Sequence, residues 1–180
     1  MTEKTNIAVF AGGCFWCLEP VFSQLQGVES VVSGYIGGHT TNPSYKQICN
    51  GDTGHAEAIQ ITYDPQQISF EVLLEIFFVS HDPTTLNRQG NDIGTQYRSA
   101  VFCQDDTQRA VVQAVIDELN NENTFSKPIV TEINGAEQFY PAEDYHQYYY
   151  ANNPNQPYCM IVAAPKVEKV RLKYVNKLKK

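Results

Sequence analysis

The apolar positions of the chain fall into short runs and helical stripes that follow one another. Residues 7–11 are a short apolar run, which predicts a buried strand. Gly12 and Gly13 then permit a tight turn. The next apolar residues have helical spacing: Phe15, Leu18, Phe22 and Leu25. Because Pro20 lacks a backbone N–H, we expect the regular helix to begin near Cys17.

The rest of the chain continues this interleaving of strands and helices. Four further strands are predicted over 28–36, 55–63, 97–103 and 129–133. Three further helices are predicted over about 69–78, 106–121 and 165–178. Two long polar loops, 37–54 and 81–96, separate some of these elements, and long loops often carry function. The pattern predicts an α/β or α+β fold, and the order of elements alone does not separate the two.

Length and composition predict one soluble globular domain that covers residues 1–180. The net charge of −7 argues against general binding of nucleic acids. Residues 166–180 differ from the rest because they hold seven Lys and Arg against one Glu, or about +6, which leaves about −13 elsewhere. No apolar run approaches the length that spans a membrane, so we expect no membrane partner.

Five cysteines at irregular spacing do not resemble the disulfide framework of a small secreted protein. They are Cys14, Cys17, Cys49, Cys103 and Cys159. The first residues of the chain also lack the apolar region of a signal peptide. We therefore predict a protein of the reducing cytoplasm in which some cysteines are redox-active, with Cys49 and Cys103 interpreted as structural.

Cys14 is the candidate nucleophile. It is predicted at or just before the first turn of a helix, where free backbone N–H groups and the helix dipole favour a thiolate. This environment predicts a pKa below the usual value of ~8.5. Cys17 lies three residues further on, a spacing that permits a disulfide. A zinc site would need two more ligands at similar spacing, which the sequence does not offer, whereas two buried structural cysteines remain an alternative.

Glu57 is the candidate proton donor. It shares one face of a predicted strand with Ile59 and Ile61, which predicts a buried carboxyl with a raised pKa. The alternative is a solvated or salt-bridged carboxylate at the end of a strand. Phe15 and Trp16 adjoin Cys14, and they either form an apolar wall for a small substrate group or pack in the core.

Three further candidates lie in or beside the two polar loops, where site residues are common: Tyr45, Asp92 and Tyr97. Cys159 follows Pro157 and Tyr158 in a segment predicted to be irregular and mobile. Such a segment would allow Cys159 to reach an oxidised Cys14.

Motifs spread over about residues 7 to 163 resemble those of the peptide-methionine (S)-S-oxide reductases, the A-type methionine sulfoxide reductase family. The motifs are Gly13-Cys14-Phe15-Trp16, Gly34-Tyr35-Ile36-Gly37-Gly38, Tyr45, Asp52-Thr53-Gly54-His55-Ala56-Glu57-Ala58, His81-Asp82-Pro83, Asn91-Asp92-Ile93-Gly94-Thr95-Gln96-Tyr97-Arg98-Ser99, Tyr145-His146-Gln147 and Tyr158-Cys159. The resemblance implies a mixed-sheet, two-layer α/β sandwich with a ferredoxin-like core and long irregular loops. It covers nearly the whole chain and leaves the basic helix outside it.

The resemblance also implies roles for the residues at the start of the first helix. Cys14 would attack the sulfur of methionine sulfoxide, either free or within a protein, and become a sulfenic acid. Phe15 and Trp16 would hold the methyl group of the substrate. No metal or organic cofactor is implied.

For the sulfoxide oxygen, the resemblance implies binding and protonation by Glu57, Tyr45 and Tyr97. Asp92 would act as a supporting polar residue. This agrees with the chemistry, because a thiolate that attacks an S=O group needs a proton delivered to the oxygen.

The resolving cysteine stays open between Cys17 and Cys159. Many members of the family have glycine where this chain has Cys17, and they use cysteines near the C-terminus. We favour Cys17 as the first resolver, with Cys159 as the alternative or as a second relay, and thioredoxin as the reductant.

Two functions of other kinds compete with this interpretation. A thioredoxin-like disulfide oxidoreductase would use Cys14 and Cys17 and give Glu57 no role. A binding module would recognise methionine-like side chains through Phe15 and Trp16 without consuming a reductant.

Overall fold

A six-stranded mixed sheet forms the centre of the computed structural model, which describes residues 6–180. In chain order the strands are β1 (Asn6–Gly12), β2 (Val28–Ile36), β3 (Ala56–Tyr63), β4 (Arg88–Gln89), β5 (Asp92–Ile93), β6 (Ser99–Phe102), β7 (Glu132–Asn134) and β8 (Tyr140–Pro141). The sheet has the order β7-β6-β1-β3-β2-β8, and β4 and β5 form a separate hairpin. Strands β6 and β7 are parallel, whereas the other pairs in the large sheet are antiparallel.

Six α-helices accompany the sheet within the described residues, 6–180. They are α1 (Phe15–Ser23), α2 (Tyr45–Asn50), α3 (Phe70–Ser80), α4 (Asp106–Asn121), α5 (Tyr149–Asn152) and α6 (Ala164–Lys173). Side-chain caps explain where two of them begin: Ser69 accepts a hydrogen bond from the backbone N–H of Val72, and Asp105 accepts one from that of Gln108. Within residues 6–180, none of the helices combines the length and the apolar character needed to cross a membrane.

The alternation of β1 divides the core between the two faces of the sheet. Phe10 belongs to the larger cluster, and its ring stacks on Phe77 of α3 at 4.8 Å between centroids. Val9 and Ala11 point to the opposite face, where they join a smaller cluster. A mixed-sheet α/β fold was predicted, and it is confirmed.

Several predicted boundaries are wrong by a few residues. Helix α1 begins at Phe15 rather than near Cys17, and it contains Pro20. A proline inside a helix removes one backbone hydrogen bond, and the rest of this short helix tolerates that loss. Tyr97 ends a 3-10 turn instead of starting a strand, because its backbone N–H bonds to the carbonyl of Gly94 at 3.0 Å.

The prediction of an irregular, mobile segment around Cys159 is also wrong. Cys159–Ala163 form a π-helical turn that continues directly into α6. Cys159 is fully buried, and its backbone N–H donates a hydrogen bond of 3.0 Å to Oε1 of Gln156. The sequence suggested mobility because of its prolines, but the burial of this thiol fixes the segment against the body of the protein.

Candidate active site

The junction between β1 and α1 positions Cys14. Gly13 has a φ of +92°, and a Cβ atom there would lie 2.7 Å from Cγ of Gln89, so only glycine fits this turn. Cys14 is the N-cap residue of α1, and its carbonyl accepts a hydrogen bond from the N–H of Cys17 at 3.0 Å. The predicted place of Cys14, just before the first turn, is confirmed.

Glu57 on β3 lies directly behind this helix start. Its side chain is buried, and Oε1 accepts a hydrogen bond of 3.2 Å from the backbone N–H of Phe15. Oε2 is buried without a hydrogen-bond partner among residues 6–180. Burial raises the pKa of Glu57 to about 8, so the carboxyl is mostly protonated at neutral pH. The predicted burial and raised pKa are confirmed, and the alternative of a solvated carboxylate is wrong.

The predicted lowering of the Cys14 pKa is wrong. Burial raises the pKa of Cys14 well above its usual value, and the charges of Glu57 and Cys17 raise it further. The backbone N–H of Trp16 at the helix start does lower the pKa, as expected, but its contribution is smaller. In the resting site the thiol therefore keeps its proton beside a protonated carboxyl.

Two phenols, Tyr45 and Tyr97, belong to the same group of residues. Tyr45 opens α2, and its backbone N–H donates to Oε2 of Glu143 at 3.0 Å. Burial raises the pKa of both phenols, and the charge of Glu57 is the next largest cause in each case. Both phenols therefore remain neutral hydrogen-bond donors near the Glu57 carboxyl.

Asp92 connects to the cysteines through Tyr158. The Tyr158 hydroxyl donates a hydrogen bond of 2.5 Å to Oδ2 of Asp92 and accepts one of 3.7 Å from the Cys17 thiol. The Asp92 charge also raises the pKa of Cys14 and of Glu57. Asp92 therefore favours the protonated form of both groups.

Aromatic rings surround the helix start. Phe15 is fully buried and packs against Tyr35 at 5.8 Å between centroids, so it is part of the core as well as a neighbour of Cys14. Trp16 is half-buried, and its indole stacks on Tyr149 at 3.8 Å with an interplanar angle of 7°. Its Nε1–H donates a hydrogen bond of 3.0 Å to Nδ1 of His146.

The five cysteines differ in their place relative to the site, and Cys49 lies one helical turn after Tyr45 on α2, where it raises the pKa of the Tyr45 phenol. Cys17 lies three residues after Cys14 in the first turn of α1, and its thiol donates to the hydroxyl of Tyr158, the residue before Cys159. Cys49 is exposed on α2, whereas Cys103 is buried just after β6. All five are free thiols in this structure.

Comparison with known proteins adds the family. A family model described as peptide methionine sulfoxide reductase matches residues 6–179. The chain belongs to this family. Within residues 6–180, no group of three or more His, Cys, Asp or Glu side chains could hold a metal ion.

Relatives within the peptide methionine sulfoxide reductase family match over most of their length. The chain is 56% identical to a peptide methionine sulfoxide reductase MsrA from Chromobacterium violaceum over 171 residues, which cover 95% of this chain and 97% of the relative. Among solved structures, reduced Mxr1 from Saccharomyces cerevisiae has a TM-score of 0.81 and 35% identity, with 88% of this chain and 91% of Mxr1 covered. Mxr1 in complex with Trx2 has a TM-score of 0.59 and 24% identity, with 83% and 87% covered, and this match supports the fold alone.

Membership of the family confirms the predicted enzyme class, a methionine sulfoxide reductase, over the thioredoxin-like oxidoreductase and the binding module. Sequence reasoning missed the contacts of His146 and Tyr158, to which it gave no role of their own. Both lie in the aromatic-rich stretch of residues 139–159, and that concentration of rings was the available signal.

Proposed function

We propose that this chain reduces methionine S-sulfoxide, free and in proteins, to methionine, with Cys14 as the nucleophile and Glu57 as the proton donor. The observation that supports this most directly is the buried Glu57 carboxyl beside Cys14, whose Oε1 accepts the backbone N–H of Phe15 at 3.2 Å and whose pKa burial raises to about 8. A neutral carboxyl beside a nucleophile is the arrangement that general-acid catalysis needs.

In the first step, the Cys14 sulfur attacks the sulfoxide sulfur while Glu57 gives a proton to the sulfoxide oxygen. Cys14 passes its own proton to Glu57, so the carboxyl ends the step as it began. The oxygen is transferred to Cys14, which becomes a sulfenic acid, and methionine leaves with the electron pair. Because both groups start protonated, the nucleophilic thiolate forms as the substrate accepts the proton.

Tyr45 and Tyr97 donate hydrogen bonds to the sulfoxide oxygen in this proposal. Their phenols are neutral, since burial and the Glu57 charge raise both pKa values. A donor aimed at the oxygen becomes more useful as negative charge develops there during attack. Asp92 supports them because its charge adds to the effect of burial in raising the pKa of Glu57.

Phe15 and Trp16 form the wall for the methyl group. Phe15 supplies buried apolar surface, and the half-buried indole of Trp16 presents a flat face held by Tyr149. An apolar wall beside Cys14 orients the substrate by excluding the polar oxygen from that side.

The oxidised enzyme is restored by other thiols. The Cys17 thiol condenses with the Cys14 sulfenic acid to form a disulfide and water. As a second relay, the Cys159 thiolate attacks the Cys17 sulfur, which forms a disulfide between Cys17 and Cys159 and releases Cys14 as a thiol. A dithiol protein then reduces the disulfide, and we assign this role to a thioredoxin. The structure of reduced Mxr1 matches this chain at 35% sequence identity, and Mxr1 has also been solved in complex with Trx2.

The reducing cytoplasm suits this cycle, because resting thiols there stay reduced between turnovers. The electrons come from thiols alone, so the proposed reaction needs no metal or organic cofactor. Nucleic acids and membranes are not among the proposed partners.

The test is the dithiothreitol-dependent reduction of the two epimers of a blocked methionine sulfoxide. We expect reduction of the S epimer alone, and no activity in Cys14→Ser, since a serine hydroxyl cannot form the sulfenic intermediate. Cys103→Ser is the matched control, because Cys103 is buried just after β6, where its backbone N–H bonds to the carbonyl of Asn134, and its replacement should leave turnover intact. Reduction of neither epimer, or activity of Cys14→Ser above a few per cent of wild type, would contradict the proposal.

A further inference from the structure

His146 lies at the centre of the aromatic residues around Trp16 without belonging to the proposed chemistry. Its imidazole is buried, with ring centroids 5.1 Å from Phe15 and 4.4 Å from Tyr45. Its Nδ1 accepts the indole N–H of Trp16 at 3.0 Å. One imidazole therefore contacts three residues of the proposed substrate site.

The turn that carries His146 (Asp144–His146) is fixed to the edge of the sheet. The side chain of Gln147 accepts the backbone N–H of Ser33 and donates to its carbonyl, both at 2.9 Å. Glu143 accepts the Tyr35 hydroxyl at 2.9 Å, and the His146 N–H bonds to the Glu143 carbonyl, also at 2.9 Å. These bonds hold the imidazole on a rigid support, as a positioning residue requires.

The hydrogen bond to Trp16 defines the protonation state of His146. An Nδ1 that accepts must lack a proton, so the neutral imidazole carries its proton on Nε2. Nε2 is buried without a hydrogen-bond partner among residues 6–180. The titratable groups that face the ring are Tyr45 of α2, with Tyr145 and Glu143 of its own turn. Burial lowers the pKa of His146 despite the opposing charge of Glu143, which keeps the ring neutral at pH 7.

We propose that neutral His146 is a positioning residue for Trp16: its Nδ1 fixes the indole plane against Tyr149 as the wall for the substrate methyl group. This inference rests on the proposed function, since it concerns how one wall of that site is held. Without the acceptor, the half-buried indole keeps the stack on Tyr149 but loses the hydrogen bond of its N–H to His146, so the stack alone no longer fixes the indole within its plane.

The test compares His146→Asn with His146→Leu, two variants of similar size. Asparagine places Oδ1 where Nδ1 was and can accept the indole N–H, whereas leucine cannot. In the reductive half-reaction under single turnover, we expect the half-saturating concentration of methionine sulfoxide to rise about ten-fold in His146→Leu, as for one lost hydrogen bond. The maximal rate should change less than about three-fold, and His146→Asn should recover most of the loss. His39→Gln, at an exposed histidine, is the control.

A spectroscopic measurement detects the hydrogen bond between Trp16 and His146 without enzyme turnover. Trp16 is the only tryptophan of the chain, so its emission and its resonance Raman N–H mode report this hydrogen bond directly. We expect wild-type emission to be quenched on acidification with a midpoint below 6.5, and this transition to vanish in His146→Asn. The wild-type titration and the asparagine variant decide the question even if His146→Leu does not fold.

The inference is overturned if asparagine and leucine impair substrate saturation equally, or if the acid quench persists in His146→Asn. These outcomes differ from a failure of the proposed function, in which wild type would reduce neither epimer while its fluorescence still behaved as described.

Discussion

The backbone N–H of Phe15 donates a hydrogen bond of 3.2 Å to Oε1 of Glu57, which ties the first residue of α1 to a buried carboxyl on β3. The bond holds the acid directly behind Cys14 and leaves Oε2 without a partner among residues 6–180. A carboxylic acid that accepts one hydrogen bond can still give up its own proton from the other oxygen. The bond therefore positions Glu57 without removing its capacity as an acid.

Glu57→Gln should slow the reductive step by about 10²-fold or more, because an amide keeps the hydrogen bond to Phe15 but has no acidic proton to transfer. The wild-type rate should be flat below pH 8 and should fall as the pH rises through about 8, where Glu57 loses its proton. This fall should be absent in the variant. Single-turnover rates of methionine formation between pH 5 and 9.5 measure both effects.

Glu19→Gln is the matched control for this prediction. Glu19 is also a buried carboxyl whose pKa burial raises, and it accepts a hydrogen bond of 2.7 Å from Ser23 within α1. It should leave the reductive rate and its pH profile unchanged. An unchanged profile in Glu57→Gln would instead make Glu57 a structural residue.

Glu57→Gln should also stabilise the folded protein at neutral and alkaline pH. Folding raises the pKa of Glu57 from 4.5 to about 8, so the folded state holds this proton more tightly than the unfolded chain does. The resulting contribution to stability is complete below pH 4.5 and is lost as the pH rises to about 8. Glu57→Gln avoids this loss, which is at most ~5 kcal/mol. Thermal melts should show a gap in Tm that widens from pH 5 to 8, and a constant gap would contradict the assigned pKa.

The local elements of this site follow from the sequence, whereas its electrostatics do not. The apolar stripe after Gly13 places Cys14 at a helix start, and strand alternation places Glu57 on a buried face. The thiol pKa depends on what surrounds Cys14 in three dimensions. Burial and the charge of Glu57, which is distant in sequence, outweigh the helix terminus that the sequence reveals.

Contacts between segments that are distant in the sequence could not be predicted either. The prolines near Cys159 suggested a loop, but this cysteine is buried within a helical turn that continues into α6. His146 meets Trp16 only because the turn of residues 144–146 packs beside β2. Neither apolar periodicity nor a local motif encodes such a long-range contact.

Lys166→Met should slow the formation of the disulfide between Cys14 and Cys17. Burial raises the pKa of Cys17 to about 11, and the Lys166 charge is the main influence that opposes it. Removing the charge raises the pKa further and leaves less thiolate to attack the sulfenic acid. Since Lys166 is only half-buried, we expect a modest effect of about three-fold. Rapid-quench thiol counts after one equivalent of substrate measure this step.

Lys169→Met is the control, because Lys169 is the next lysine on α6 and is exposed, with its Nζ bonded to the carbonyl of Val79 at 3.3 Å. It should leave the rate of disulfide formation unchanged. Equal slowing in both variants would point to the overall charge of the helix instead of a specific effect on Cys17. High salt should also reduce the difference between wild type and Lys166→Met.

The last prediction concerns which thiol resolves Cys14, and the place of Cys17 in the same helical turn favours Cys17 first. Cys17 lies three residues from Cys14, so closing the first disulfide requires only that the first turn of α1 loosen its 3.0 Å hydrogen bond. After one equivalent of substrate, Cys159→Ser should still lose two thiols, whereas Cys17→Ser should lose one and retain a sulfenic acid that a dimedone probe captures. Thioredoxin should recycle Cys159→Ser more slowly than wild type, because the relay is missing, and dithiothreitol should recycle both equally. Cys17 would not be the first resolver if Cys17→Ser lost two thiols and recycled with thioredoxin while Cys159→Ser did neither.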